Sequence, residues 1–589
     1  MAPLTGVCAA VHVAVGQVVA PGTPLVTLES MKTEHPVAGV AGGRVAELVV
    51  HVGDDVDAGA RLVVLEVTEG AGEDVAAPAA DDGPTGLDRP DLAAVLERRD
   101  LLRDERRPEA VERRAQLGRR TARTNVEALV DEGSFNEYGG LAVAAQRGRR
   151  SVDDLVRRTP ADGLLVGTAT VGSPVLGEAR SRVAVLAYDA TVLAGTQGFV
   201  NHRKTDRLLD VASRHRLPVV LLAEGGGGRP GDVDAPGVSG LDVPSFARFA
   251  RLAGTVPTIA VVSGYCFAGN AALAGCCDVV IATEDSNIGM AGPAMIEGGG
   301  LGLVAPTDIG PIEVQWSNGV VDVRVPDEAA AVEAAQTVLG FAQGTTPAGA
   351  APDQAILRDV VPPARRRGYD VRSVVTTLAD EGSVVELRAG FGAGVVTALG
   401  RLAGRPVGFL ANEPLHLGGA IDVDAASTAT RFLGLCERWR LPVVSLCDTP
   451  GFMVGPEAER AGQVRAFGDL FLAAARTTVP WVFVVLRKSY GLGAQAMAGG
   501  SLLEPDLTLS WPTGEFGGMG LEGAVRLGFA RELDAIEDPE ERAAREAALI
   551  ERAYEVGGAL NIATHFEVDD VIDPADTRAR VLAALTATG

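Results

Sequence analysis

The feature that most constrains this chain is that it repeats itself. Within residues 91–589, RVAVLA (182–187) matches PVGFLA (406–411), and LPVV at 217–220 recurs at 441–444, both after a shift of 224. Val256-Pro257 returns as Val479-Pro480 after 223, and LVDEGSFNE (129–137) echoes LADEGSVVE (378–386). A chain that carries one apolar and turn pattern twice is expected to fold it twice. Two homologous domains follow, at 91–345 and 346–589. In each, short apolar runs such as VAVLAYD, PVVLLAEG and TIAVVSG alternate with helical stretches near 202–215 and 244–253. That alternation predicts βαβ units with the sheet buried and right-handed crossovers, an α/β architecture.

A second repeat lies at the N-terminus. GQVVAPGTPLVTLE (16–29) superimposes on GDDVDAGARLVVLE (53–66) with a shift of 37, pairing Gly16 with Gly53, Gly22 with Gly59 and Leu28 with Leu65. Period-two alternation between glycine-marked turns predicts a small all-β domain over residues 1–67, built from two similar sets of short strands. Lys32 falls just after the first copy, at the tip of the connecting turn. A lysine there is ordinarily a solvated charge; a tether is the other reading. Residues 68–90 are Ala, Gly, Pro and acidic, the composition of a flexible, self-repelling linker. The Arg-rich run 91–123 reads as an exposed helix or, alternatively, part of a docking surface.

Composition excludes several functions. With 53 basic and 77 acidic residues the net charge is −24, against a nucleic-acid partner. The six cysteines show no zinc or disulfide spacing, and the N-terminus lacks a signal peptide, so a cytoplasmic location is expected. No apolar run approaches the ~18 residues of a membrane span. Only seven histidines are present, with no compact Ser/His/Asp or Cys/His arrangement and no metal-ligand pattern.

The most informative loops follow the strands TIAVVSG and WVFVVLR. They read GYCFAGNA (264–271) and RKSYGLGA (487–494), and the 223 shift places Gly269 and Asn270 on Leu492 and Gly493. Small residues between a strand end and a helix start leave backbone N–H groups approachable. Such groups can stabilise an oxyanion, at about 3 kcal/mol per donor. Two of these loops at matching repeat positions make a stronger signal than either alone.

These residues carry a resemblance. Glu29-Ser30-Met31-Lys32 resembles the E-(A/S)-M-K attachment motif of biotinyl carrier domains, and Met31 favours biotin over lipoate; Thr33 stands where a second Met is common. The body resembles the carboxyltransferase (beta) subunit of biotin-dependent acyl-CoA carboxylases of the propionyl-CoA and methylcrotonyl-CoA type. The motifs are GRPVGFLANEP (404–414), GAIDVDAASTATRF (419–432), DTPGFMVGPEAE (448–459), RKSYGLGAQAM (487–497) and DLTLSWPTGEFGGMGLEGAV (506–525).

The resemblance implies two crotonase-like domains preceded by a biotinyl domain of the barrel-sandwich hybrid type. It implies biotin on Lys32, with Met31 part of the recognition motif. The N–H groups of Gly269 and Asn270 would hold the thioester oxygen of an acyl-CoA, and those of Leu492 and Gly493 the ureido oxygen of biotin. Carboxybiotin would release CO2, the biotin anion would take the α-proton, and the enolate would capture CO2. Arg229, Ala268, Ala494 and Gln495 are the substrate-binding candidates, Arg229 together with His202, Arg203 and Lys204 for CoA phosphates and Gln495 for acyl size. Asn270 and Leu492 replace the usual Gly, and their side chains are expected to narrow the approach. Expected partners are a biotin protein ligase, a separate biotin carboxylase subunit, since no ATP-grasp domain is evident, and further copies of the chain in a dimer or trimer of dimers. A transcarboxylase or acyl-CoA decarboxylase, and a non-catalytic scaffold, remain as alternatives.

Overall fold

The computed structural model describes residues 1–67, 89–235 and 239–588. It comprises two compact units, Met1–Val95 and Leu96–Gly589. The stretch read as a linker, 68–90, lies outside the described residues except for its last two positions. Among the described residues no helix is long and apolar enough to cross a membrane.

The smaller unit holds a four-stranded and a three-stranded sheet. Its repeat is visible in backbone angles: Gly16 and Gly53 have φ of 90° and 94°, and Gly22 and Gly59 have 85° and 84°. These left-handed turns are open to glycine with little strain. Val19, Leu25 and Leu28 are buried together with Val56 and Leu62, so the two copies share one core. Strands Pro24–Ser30 and Thr33–Ala38 pair antiparallel with Ser30 opposite Thr33.

In the larger unit two eight-stranded sheets have the same order of strands. In the first, Leu164–Thr170 runs antiparallel to Arg182–Tyr188, which pairs in parallel with Val219–Gly225, then Thr258–Phe267, then Val279–Thr283. In the second, Val395–Leu402, Arg405–Asn412, Val443–Thr449, Trp481–Tyr490 and Leu507–Ser510 take the same places. Register repeats too: Ala184 faces Val219 as Gly408 faces Val443. The ladder slips between Ala223 and Gly225 in one half and between Cys447 and Thr449 in the other. The halves diverge in chemistry just beyond these slips, at the strand ends.

Helices Phe199–His215 and Val423–Trp439 cover equivalent faces, and each stops at a left-handed arginine, Arg216 or Arg440. With both faces covered, the parallel strands are almost wholly buried, which explains their unbroken apolar runs. One apolar cluster draws on both halves. Polar ties join them as well: Asp278 accepts from Trp439 Nε1 at 3.0 Å and pairs with Arg438, and Asp322 pairs with Arg388 at 3.1 Å.

The Arg-rich run departs from expectation. Helix Pro90–Asp100 buries nothing, as an exposed helix should. In Pro108–Gln116, however, Arg114 is buried and pairs with Glu224 at 2.6 Å and Glu328 at 2.8 Å. Its partners are more than a hundred residues away, so no local charge pattern announces it.

Candidate functional site

The hairpin Pro24–Ser30/Thr33–Ala38 closes on two residues, Met31 and Lys32, with φ of 51° and 63°. Positive φ at both positions is the type I′ geometry that matches strand twist, usually met by Asn-Gly. Two side chains held there cost roughly 1–2 kcal/mol each. Met31 is 99% exposed despite being apolar, and Lys32 is exposed with no hydrogen bond or ion pair among the described residues. The turn therefore spends stability to present an apolar side chain and a free amine side by side. A covalently attached group fits such a lysine, since the amine gives up no partner.

In the larger unit, the first loop enters helix Gly269–Gly275 through Ala268, whose φ of 52° and ψ of −119° are strained. Ala268 has no backbone group to spare: its N–H donates to Gly289 O at 2.9 Å and its carbonyl accepts from Ala272 N at 2.8 Å. The N–H groups of Gly269 and Asn270 open the helix and donate to nothing among the described residues. A Cβ on Gly269 would lie 2.2 Å from Gln197 Oε1, so a larger residue there would have to displace the Gln197 side chain. Gln197, unremarkable in the sequence, is thus a neighbour of the loop.

The second loop opens helix Gly491–Met497, and the Leu492 and Gly493 N–H groups are likewise without acceptors among the described residues. A Cβ on Gly493 would fall 2.7 Å from Gly451 Cα and 3.0 Å from Phe452 N. Ala494 is buried, whereas Gln495 is exposed. Leu492, 55% exposed, stands at the mouth of the loop as expected. Asn270 does not. It is fully buried, its amide turned inward to donate to Gly195 O and Glu224 O, both at 3.2 Å, so it leaves the approach open.

Behind each loop sits an acid at the same repeat position, Glu224 or Asp448. Asp448 is fully buried and pairs with Lys488 at 2.6 Å and Arg487 at 3.1 Å, both from its own half's strand. Glu224 is served instead by Arg114 and Arg119 from a distant segment. Gly264, equivalent to Arg487, makes the room: a Cβ there would meet Arg119 Nη1 at 2.4 Å. Substituting Asp448 by Ala leaves two largely buried cations unpaired; we expect a loss of about 3–5 kcal/mol, read from the denaturant midpoint.

Each half also holds a cavity. One, of about 740 Å³, is lined by Arg149, Arg150, Thr196, Arg229 and Gly231. The other, of about 550 Å³, is lined by Asp422, Asp424, Val423, Met453, Val454 and Gly455. The shift of 224 places Arg229 on Met453 and Gly231 on Gly455, but the remaining lining does not correspond: the first cavity carries Arg149, Arg150 and Arg229 with Asp154, and the second Asp422, Asp424 and Glu457 with Val423, Met453 and Val454. Arg229 walls the first cavity without offering a free cation. It is held by Asp162, by Thr196 O at 2.7 Å and by Asp232 at 3.6 Å. Burial pushes the Asp162 carboxyl up, with Arg229 opposing. Lys204 turns inward to Ala161 O and Leu164 O, burial lowering it to about 8, and His202 bonds Ser245. Of the three arginines lining this cavity, Arg149 is the one with no ion pair among the described residues, and sequence reading passed over it.

Residues 113–588 match the family described as "Carboxyl transferase domain" and residues 2–65 that described as "Biotin-requiring enzyme". The methylmalonyl-CoA carboxyltransferase 12S subunit of Propionibacterium freudenreichii subsp. shermanii is 32% identical over 491 residues, covering 81% of this chain and 90% of that protein. A single-chain, multi-domain long-chain acyl-CoA carboxylase of known structure is 53% identical, with a TM-score of 0.81 over 99% of this chain; the chain spans 55% of that protein's length. A transcarboxylase 12S crystal structure, described as a hexamer with methylmalonyl-CoA bound, is 30% identical, with a TM-score of 0.74 over 86% of this chain and 96% of that one.

Proposed function

Because this chain belongs to the carboxyl transferase family and carries a biotin-requiring domain of its own, we propose that it moves a carboxyl group between biotin on Lys32 and the α (or vinylogous) carbon of an acyl-CoA. It is a biotin-dependent carboxyltransferase with a covalent biotin cofactor. Biotin supplies the transferable carboxyl group. The chain's own residues supply placement and charge stabilisation.

The observation that supports the assignment of the halves is the contrast in lining between the cavity in the first half and the cavity in the second. Arg149, with Arg150 paired to Asp154 beside it, suits a polyanionic nucleotide, so the first half takes the acyl-CoA. Asp422 and Asp424 repel phosphate, while Val423, Met453 and Val454 accept a neutral, largely apolar bicycle, so the second half takes biotin. The Gly269 and Asn270 amides then meet the thioester oxygen as negative charge develops, and those of Leu492 and Gly493 meet the ureido oxygen. At about 3 kcal/mol per donor, the loops account for a large share of the rate without an ionisable base among them.

The test is the reverse half-reaction, with biotinylated full-length protein and a panel of carboxylated acyl-CoAs followed by mass spectrometry. Loss of carboxylate that depends on Lys32 is expected from one or two members. No loss from any, with biotin confirmed on Lys32, overturns the reading. Arg149→Ala is expected to raise KM for the acyl-CoA about tenfold, the effect of one charge-assisted hydrogen bond of ~1.5 kcal/mol, with kcat unchanged. A pantetheine thioester without the nucleotide should not feel the change.

A biotin carboxylase on a separate polypeptide would charge the carrier, and a biotin protein ligase would recognise the Met31-Lys32 tip. Met290, Met295, Leu301 and Leu303 are each at least 70% exposed, which favours burial against further copies of the chain. The hexamer of the transcarboxylase relative agrees with a trimer of dimers. The six cysteines are all unpaired, in keeping with a cytoplasmic setting. Likeness to a methylmalonyl-CoA carboxyltransferase favours one second reading, transfer between two acyl-CoAs. It is distinguished by whether carboxylation of an acyl-CoA requires ATP and a biotin carboxylase partner, which the transcarboxylase reading does not.

A further inference from the structure

We propose that the side chain of Asn270 is a positioning residue that holds the first pair of oxyanion donors in place, a device the second half does not share. The proposal rests on the reading that the first loop receives the thioester. Three backbone segments converge there with no space between them. A Cβ on Gly195 would lie 2.4 Å from Glu224 O, and one on Gly225 would lie 2.1 Å from Gly195 O and 2.7 Å from Asn270 Nδ2. The Leu193–Gly195 corner bends through three successive left-handed residues, with φ of 48°, 55° and 63°. Asn270 Nδ2 reaches from the helix start and donates to Gly195 O and Glu224 O at once. One carboxamide thus pins the corner and the strand end to the residue whose own N–H, with that of Gly269, faces the ligand.

The second half solves the same problem differently. Its corner, Leu417–Gly419, repeats the left-handed path with φ of 48°, 66° and 89°, and Gly419 abuts Asp448 O as Gly195 abuts Glu224 O. At the position of Asn270 it has Gly493, which packs directly on the Gly451 backbone. Contact between two glycines replaces the bridge. Stability alone is a weak account of Asn270, because its Oδ1 is buried without a hydrogen-bond partner among the described residues and an unmet acceptor is unfavourable. Replacing the amide leaves the backbone donor of residue 270 in the chain but frees it to drift, and transition-state stabilisation is sensitive to such drift.

The experiment uses full-length protein carrying Lys32→Arg, so that added ε-N-biotinyl-lysine is the sole carboxyl acceptor, with a carboxylated acyl-CoA that the wild type uses. Asn270→Asp keeps the shape and replaces the donor by an acceptor; Asn270→Ala removes both; Asn270→Ser restores one donor. Rates are normalised to folded protein from the calorimetric unfolding enthalpy. Expected is a fall in kcat of tenfold or more for the Asp and Ala variants, partial recovery for Ser, and both KM values within twofold of the parent. A kcat within twofold of the parent in whichever of the Asp and Ala variants folds overturns the positioning role and leaves the loop assignment standing. A rise in KM for biotinyl-lysine, with that for the acyl-CoA unchanged, overturns the assignment of the first loop and the proposal with it. If neither variant folds, the Ser variant decides, since with one donor of two it should still lose kcat and keep both KM values; unchanged kcat in it overturns the role.

Discussion

Replacing Lys32 by Arg abolishes carboxyl transfer through the protein's own carrier, while biotinylated carrier added in trans restores turnover. Arginine keeps the charge and tolerates the exposed tip but offers no primary amine for attachment. The lysine has no other task to lose, having no hydrogen bond or ion pair among the described residues, so folding should be unaffected. A tethered group works at an effective concentration on the order of 1 mM, so its removal lowers turnover by at least ~100-fold at low micromolar protein. The measurement is steady-state formation of carboxylated acyl-CoA with a charging carboxylase present, alongside mass analysis of the modified lysine. Residual turnover within tenfold of wild type would place the attachment elsewhere.

Gly493→Ala is expected to lower kcat about 100-fold or more. The added Cβ would meet Gly451 Cα at 2.7 Å, Gly451 C at 2.8 Å and Phe452 N at 3.0 Å, all backbone, so no side chain can swing aside. Either helix Gly491–Met497 or the Gly451–Phe452 loop must shift, and both routes move the Leu492 and Gly493 donors. Loss of one such donor is worth about 3 kcal/mol, or on the order of 100-fold. Gly518→Ala is the matched control, because a Cβ there has nothing within 4 Å. A Gly493→Ala enzyme with kcat within threefold of Gly518→Ala would show that these amides do not bear on the rate.

Those two positions illustrate how far the sequence could be read. The 37-residue repeat returned in the structure as matched glycine angles, and the shift of 224 as identical strand register and identical ladder slips. Both are local demands: a left-handed turn needs Gly, and a buried parallel strand needs an unbroken apolar run. The tip of the carrier hairpin was legible for the same reason. Arg229 was misread as available to phosphate, because Asp162, which holds it, lies 67 residues earlier and itself sits at a φ of 52°. Asn270 was misread as an obstruction, because a loop motif says nothing of which way a side chain turns. Arg149 and Gln197 gave no signal, since one arginine in a basic stretch and one glutamine in a loop are ordinary.

By itself the sequence determined the duplication, the α/β and all-β modules, the lysine at a turn tip and the two small-residue loops that open helices, all of which follow from short-range periodicity and glycine placement. Tertiary structure alone decided which buried acid each arginine meets, and that the cavity of one half carries arginines where that of the other carries carboxylates. It also decided that one donor pair is bridged by a carboxamide while the other rests on glycine. The physical reason is that burial makes an unpaired charge or amide costly, so polar groups are placed by partners the fold delivers from far along the chain, and no local pattern encodes that delivery.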